Sequence, residues 1–92
     1  MKEAQVVIAN THGIHCRPSS LIVKACKGFE SQIRVISAGG EANCRNMLEL
    51  ISLGLAYEAE VTLRCEGADE DAALAKMVEM FTDTFDLIYR ND

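Results

Sequence analysis

The chain has 92 residues, of which 49% are apolar and 25% charged, with a net charge of −5. That length fits a single domain, read here as spanning residues 1–92, with enough chain for a core in a compact two-layer arrangement. The acidic balance speaks against a nucleic-acid binder, and no apolar run approaches the length of a membrane span.

No apolar signal-peptide core follows Met1-Lys2-Glu3-Ala4-Gln5, so the expected compartment is the cytoplasm. Four cysteines, Cys16, Cys26, Cys44 and Cys65, form no Cys-x-x-Cys pair. Their spacing matches neither a zinc site nor a disulfide framework. Cys26 and Cys65 fall on apolar faces, where free thiols act as small hydrophobes.

In chain order, Glu3 to Ala9 reads as a strand around Val6, Val7 and Ile8. A polar turn follows, Asn10-Thr11-His12-Gly13. Pro18 suits the first position of a helix, where its missing N–H costs nothing. That helix runs to about Lys27, with Gly28 as its stop. Leu21, Ile22, Ala25 and Cys26 make its apolar side. Ile33 to Ile36 is a second strand, Ala38-Gly39-Gly40-Glu41 a hairpin turn, and Ala42 to Cys44 a short third strand.

Asn46 reads as an N-cap, with Glu49 three residues on, for a short helix that Gly54 ends after Leu53. Glu60 to Glu66 is the clearest strand, because Val61, Leu63 and Cys65 alternate with polar residues. Gly67-Ala68-Asp69 opens the last helix, with Asp69, Glu70 and Asp71 against its positive end. Leu74, Met77, Val78, Phe81, Phe85 and Ile88 form its apolar stripe. The order β-α-β-β-α-β-α predicts an α+β open-faced sandwich, in which three helices cover one face of a four-stranded antiparallel sheet.

His15 falls at the mouth of the first helix. Unpaired N–H groups and the helix dipole make that spot an anion site. Arg17 adds a planar, permanently charged fork suited to phosphate. The positive field disfavours the imidazolium form, and a neutral imidazole is a nucleophile. An ordinary loop histidine beside a solvated arginine is the plainer alternative.

Arg17, Ser20, Lys24 and Lys27 share one helix face, and three of them are among the nine Lys and Arg residues of the chain. They form either a solvent face or a docking strip for acidic partners. In the short helix, Leu50 and Leu53 are expected in the core. Met47, Leu48 and Ile51 are expected as a partly exposed interaction patch, unless all five are core. His12, His15 and Cys16 lack a fourth ligand at metal-site spacing, so no metal is expected. Cys16 beside a helix start is a second candidate nucleophile, with His12 or His15 as base.

Gly13-Ile14-His15-Cys16-Arg17-Pro18, Ser52-Leu53-Gly54 and Glu66-Gly67-Ala68-Asp69-Glu70 resemble, in register, three stretches of the HPr family. These are the histidine-containing phosphocarrier proteins of the bacterial sugar phosphotransferase system. The resemblance covers nearly the whole chain and implies the β-α-β-β-α-β-α fold. It implies that Nδ1 of His15 accepts a phosphoryl group from enzyme I, charged by phosphoenolpyruvate, and donates it to an enzyme IIA component. Arg17 and backbone N–H groups around Cys16, Arg17 and Pro18 would hold the phosphoryl oxygens. Ser20, Lys24, Lys27, Met47, Leu48 and Ile51 would meet the partners. No cofactor, no small-molecule turnover and no oligomer is needed.

The pattern departs from the family at three positions. Asn46 stands where many members carry a regulatory serine. Cys16 replaces a small residue, usually alanine, and His12 is atypical. These leave open whether the chain serves sugar uptake, a nitrogen-related branch, or a regulatory relay in which the state of His15 gates binding.

Overall fold

The structure, a computed structural model, describes residues 1–14 and 16–85. His15 and Ile88 of the expectations above therefore lie outside the described residues. The elements are β1 (Lys2–Val7), α1 (Cys16–Cys26), β2 (Gln32–Ser37), β3 (Gly40–Asn43), α2 (Met47–Ser52), β4 (Glu60–Glu66) and α3 (Glu70–Phe81). The four strands form one antiparallel sheet in the order β1-β4-β2-β3, which is the predicted open-faced arrangement.

β4 lies inside the sheet, paired with β1 on one side and β2 on the other. Its alternation turns Val61, Leu63 and Cys65 inward. Ile33 and Val35 of β2 and Ala42 of β3 lie buried on the same face. Ile8, Ile14, Ile22, Leu50, Met77 and Phe81 close over them as one core. Full burial of a side chain the size of Phe81 contributes about 3 kcal/mol at most.

On the opposite face, Arg34 and Arg64 stand directly across from each other on β2 and β4. Two like charges so placed repel. Each is neutralised from an outer strand: Arg64 pairs with Glu3 of β1, and Arg34 with Glu41 of β3.

Several element ends differ from the sequence reading. α1 begins at Cys16, two residues before the expected start. Pro18 still falls in the first turn, where no intrahelical N–H bond is lost. The hairpin turn is tighter than expected. Ser37 pairs with Gly40, so only Ala38 and Gly39 make the loop, and β3 starts at Gly40 instead of Ala42. The apolar stripe of α3 does not stay helical to Phe85: the helix ends at Phe81, and Phe85 has a φ of 57°. Phe85 is nevertheless buried, so its apolar character reports the core and not the helix. Leu21 is 40% exposed and does not share the buried side with Ile22 and Cys26. Leu53 is half-buried and packs at the edge of the core.

Candidate functional site

The segment that leads to position 15 is held by hydrogen bonds on all its turns. The Asn10 carbonyl accepts from the Gly13 N–H at 2.9 Å, and the Asn10 Oδ1 accepts from the His12 N–H at 3.1 Å. Asn10 Nδ2 donates to the Gly13 carbonyl at 2.7 Å. Asn10 itself is fully buried. The Ile14 N–H donates to the Leu55 carbonyl at 2.8 Å, and the Ile14 side chain enters the core. Gly13 sits at φ +77°, and a Cβ there would stand 2.7 Å from the Leu55 carbonyl oxygen. Only glycine accepts both that φ and that approach without strain.

α1 follows at once. Its first turn holds no acidic residue. Cys16 and Arg17 are exposed in it, while Pro18 and Ser19 are buried. Among the described residues, the helix mouth therefore brings together the backbone of Cys16 and Arg17 and an exposed Arg17 side chain, with no acidic residue in the first turn. Pro18 has no N–H, so the backbone cradle expected over residues 16–18 reduces to two amides.

Ser20 and Lys24 are exposed along α1 and Lys27 in the turn just after it, with Leu21 exposed among them. That follows from spacing: Leu21 is four residues beyond Arg17 and three before Lys24, which places it inside the basic strip. α2 packs against α1. Leu48 is 75% exposed, Met47 and Ile51 are half-buried, and Leu50 is fully buried. The short helix thus divides into a core side and an open side. Asn46 caps it, its side chain accepting from the Glu49 N–H at 3.1 Å. Glu49 returns the interaction to the Asn46 amide at 3.1 Å and also accepts from the Asn43 N–H at 3.0 Å.

The other end of α1 is anchored by charged groups. Arg45 donates to the Ser31 carbonyl at 2.9 Å and to the Phe29 carbonyl. The Asp69 carboxylate accepts from the Ser31 N–H and the Glu30 N–H, each at 2.9 Å, and from the Ser31 hydroxyl. The Ser31 hydroxyl and the two amides hold the Asp69 carboxyl below the usual carboxylate range. The sequence assigns Asp69 only to the start of α3. It makes no side-chain cap bond there and is used on the α1–β2 loop instead.

The four cysteines are free thiols. Cys26, Cys44 and Cys65 are fully buried, and the Cys26 Sγ donates to the Met77 Sδ at 3.6 Å. Its hydrogen bond to Cys26, together with burial, pushes the Cys44 thiol up. Burial pushes the Cys65 thiol up to about 11. These three pack as small apolar groups. Cys16 alone of the four is exposed.

Three contributors escape sequence reasoning. Asn10 reads as one letter of a polar turn, and Arg45 and Leu55 carry no sequence signal. Arg45 and Leu55 act on partners far along the chain, which no local pattern announces; the Asn10 bonds span two and three residues, and it is the burial of Asn10 that the sequence does not signal.

A model of the family described as "PTS HPr component phosphorylation site" matches residues 2–83. The phosphocarrier protein HPr of Mycoplasma genitalium is 37% identical over 76 residues, which is 82% of this chain and 86% of that protein. HPr of Mycoplasma pneumoniae is 39% identical over 75 residues, covering 80% of this chain and 85% of that protein. The crystal structure of HPr-C-His from Thermoanaerobacter tengcongensis matches with a TM-score of 0.83 at 34% identity, covering 88% of this chain and 91% of that one. With its fold, its motif-bearing segments and these relatives in agreement, the chain belongs to the HPr family of phosphocarrier proteins of the phosphotransferase system.

Proposed function

We propose that His15 accepts a phosphoryl group from enzyme I, itself charged by phosphoenolpyruvate, and passes it to an enzyme IIA component of the sugar phosphotransferase system. The observation that carries this reading is the start of α1. The helix opens at Cys16, directly after position 15, with an exposed Arg17 and no acidic residue in its first turn. A dianionic group is favoured at such a helix start.

In the reaction, Nδ1 of neutral His15 attacks phosphorus on the donor's phosphohistidine. The new N–P bond forms as the donor's N–P bond breaks. The donor ring leaves with the bonding electron pair and takes up a proton, while His15 gives up the proton on its other nitrogen. Arg17 and the Cys16 and Arg17 amides hold the oxygens during transfer. The protein's work is positioning and charge stabilisation. Ser20 and Lys24 of α1 and Lys27 just after it, with Met47, Leu48 and Ile51 of α2, form the face that meets both partners. Leu21 joins it as an exposed apolar contact. The reading is of a cytoplasmic monomer without cofactor. Control by a kinase at position 46 is absent from it, because Asn46 has no hydroxyl to phosphorylate.

Incubation with enzyme I and labelled phosphoenolpyruvate, followed by addition of an enzyme IIA, tests the reading. The parent chain is expected to carry an acid-labile label and to lose it to the acceptor. His15→Ala is expected to take no label, and Arg17→Ala to label slowly with its fold intact. Label without onward transfer would favour a regulatory relay over a transport carrier. Lys24→Glu and Lys27→Glu are expected to weaken association, most at low salt. Kinetics unchanged by both would remove the basic strip from the docking face. Cys16→Ala is expected to transfer normally, and loss of labelling there would revive the thiol alternative.

A further inference from the structure

The peptide unit that joins Gly13 to Ile14 is held at both poles. Its carbonyl, on Gly13, accepts from Asn10 Nδ2 at 2.7 Å. Its N–H, on Ile14, donates to the Leu55 carbonyl at 2.8 Å. A peptide is planar, so holding both poles restrains the plane and places the Ile14 Cα at its end; the Ile14 side chain, buried in the core, restrains the residue further. The next residue is His15.

Asn10 is placed for this from inside the molecule. Turn asparagines ordinarily sit at the surface, yet Asn10 is 0% exposed. Burying a carboxamide is costly unless its donor and acceptor ends are both matched. Here Nδ2 serves the Gly13 carbonyl and Oδ1 serves the His12 N–H. The same residue's carbonyl takes the Gly13 N–H. One neutral side chain thus orders the turn without adding a charge beside a phosphoryl site.

We propose that Asn10 is a positioning residue for phosphoryl transfer, setting through the Gly13 carbonyl the place from which His15 meets its partners' phosphohistidines. The proposal rests on the reading of His15 as phosphoryl acceptor. Asn10 acts on the approach and not on the phosphoryl group. In-line transfer at phosphorus leaves the protein little to do but position. A displacement of about 1 Å can lower such a rate on the order of a hundredfold.

The test compares the parent with Asn10→Asp, Asn10→Ala and Val35→Ala. The last is a core truncation in β2 that lowers stability away from the loop. In the Asn10→Asp protein the new carboxylate keeps the oxygen that accepts from the His12 N–H but, when ionised, has no donor for the Gly13 carbonyl. Each protein, shown to be folded by its NMR spectrum, is offered to enzyme I and phosphoenolpyruvate, and the rates are resolved into kcat and KM. Val35→Ala is expected to match the parent. Both Asn10 variants are expected to lose about tenfold or more in kcat with KM for the carrier unchanged. Asn10→Asp is expected to recover towards the parent as pH falls and its carboxyl becomes a donor, while Asn10→Ala shows no such recovery.

If Asn10→Ala does not fold, the kcat and pH profile of Asn10→Asp carry the test. An Asn10→Asp protein that is folded and as fast as the parent overturns the proposal. So does a loss no larger than that of Val35→Ala. A parent chain that takes no label overturns the carrier reading, and this inference with it. A labelled parent beside an equally fast Asn10 variant overturns only the role of Asn10.

Discussion

The two ends of α1 are anchored by different chemistry. At the N-terminal end, the 10–14 loop is held by a carboxamide and a backbone carbonyl, both neutral. At the C-terminal end, the 28–31 loop is held by the charged groups of Arg45 and Asp69. Cysteine makes the same contrast: Cys16 opens the helix in solvent and Cys26 closes it in the core. The physical sense is electrostatic. With His15 as the proposed acceptor, a carboxylate anchor beside the helix mouth would repel the phosphoryl group, and a further fixed cation there would hold it against release. Among the described residues, neutral hydrogen bonds order that loop, and Arg17 stands exposed beside it. The far end carries no such restriction and uses the stronger, charge-assisted bonds.

The largest expected difference between the ends is in thiol reactivity. Under native conditions one thiol, Cys16, is expected to react with a maleimide. Cys26, Cys44 and Cys65 are expected to react roughly a thousandfold more slowly or less, since they wait on opening of the core. Mass spectrometry of the time course checks this. More than one fast thiol would break the contrast.

Glycine substitutions sharpen it. At Gly67, with φ +149°, a Cβ would stand 2.7 Å from the Ser31 Cα, and at Gly13 it would stand 2.7 Å from the Leu55 oxygen. Gly67→Ala and Gly13→Ala are each expected to lower stability by about 2–4 kcal/mol. Urea melts measure both. Only Gly13→Ala is expected to slow phosphoryl acceptance in the protein that remains folded, because only that end leads to His15, the proposed acceptor. Equal slowing by Gly67→Ala would mean that the two ends are coupled through α1.

Arg45→Ala removes the donors of two loop carbonyls and is expected to cost about 2 kcal/mol, with transfer by the folded protein unchanged. Thermal melts and labelling rates check the two halves of that statement.

The smallest effect is on how stability depends on pH. The Asp69 carboxyl is held low by the Ser31 hydroxyl and the Glu30 and Ser31 amides, so its folded pKa lies below its unfolded one. Its contribution is therefore fully present above the unfolded value of about 4 and is lost as pH falls through the folded value. Glu70, held low by the N-terminal amino group, acts in the same direction. Asp69→Asn is expected to lose some stability at neutral pH and to flatten the decline below about pH 4. Stability curves from about pH 2 to pH 7 would test this, and an unchanged acid limb would remove Asp69 as the anchor of the 28–31 loop.

Much of the site was legible because its parts are neighbours in sequence. Gly13 to Pro18 occupy one turn and one helix start. Arg17, Ser20, Lys24 and Lys27 follow helical spacing, and the structure leaves them all exposed. Asn46 and Glu49 cap α2 as their spacing predicts. What escaped the reading depended on distance along the chain. Arg45 reaches carbonyls 14 and 16 residues away, and Asp69 reaches an amide 39 residues away. The exposure of Leu21 was legible in principle, since it shares the face of Arg17 and Lys24, but its apolar character pointed the other way.

The sequence by itself determined the order of elements, the inward face of β4 and the motif at the helix mouth. Each of these rests on interactions between residues at most a few positions apart, through strand alternation, helical spacing and capping. Only the tertiary structure decided which loop carbonyl and which distant donor would meet. It set Leu55 against Ile14, Arg45 and Asp69 against the 28–31 loop, and the Asn10 side chain in the interior. Hydrogen bonds between distant segments become available only when the core has brought those segments together, and burial then makes them obligatory.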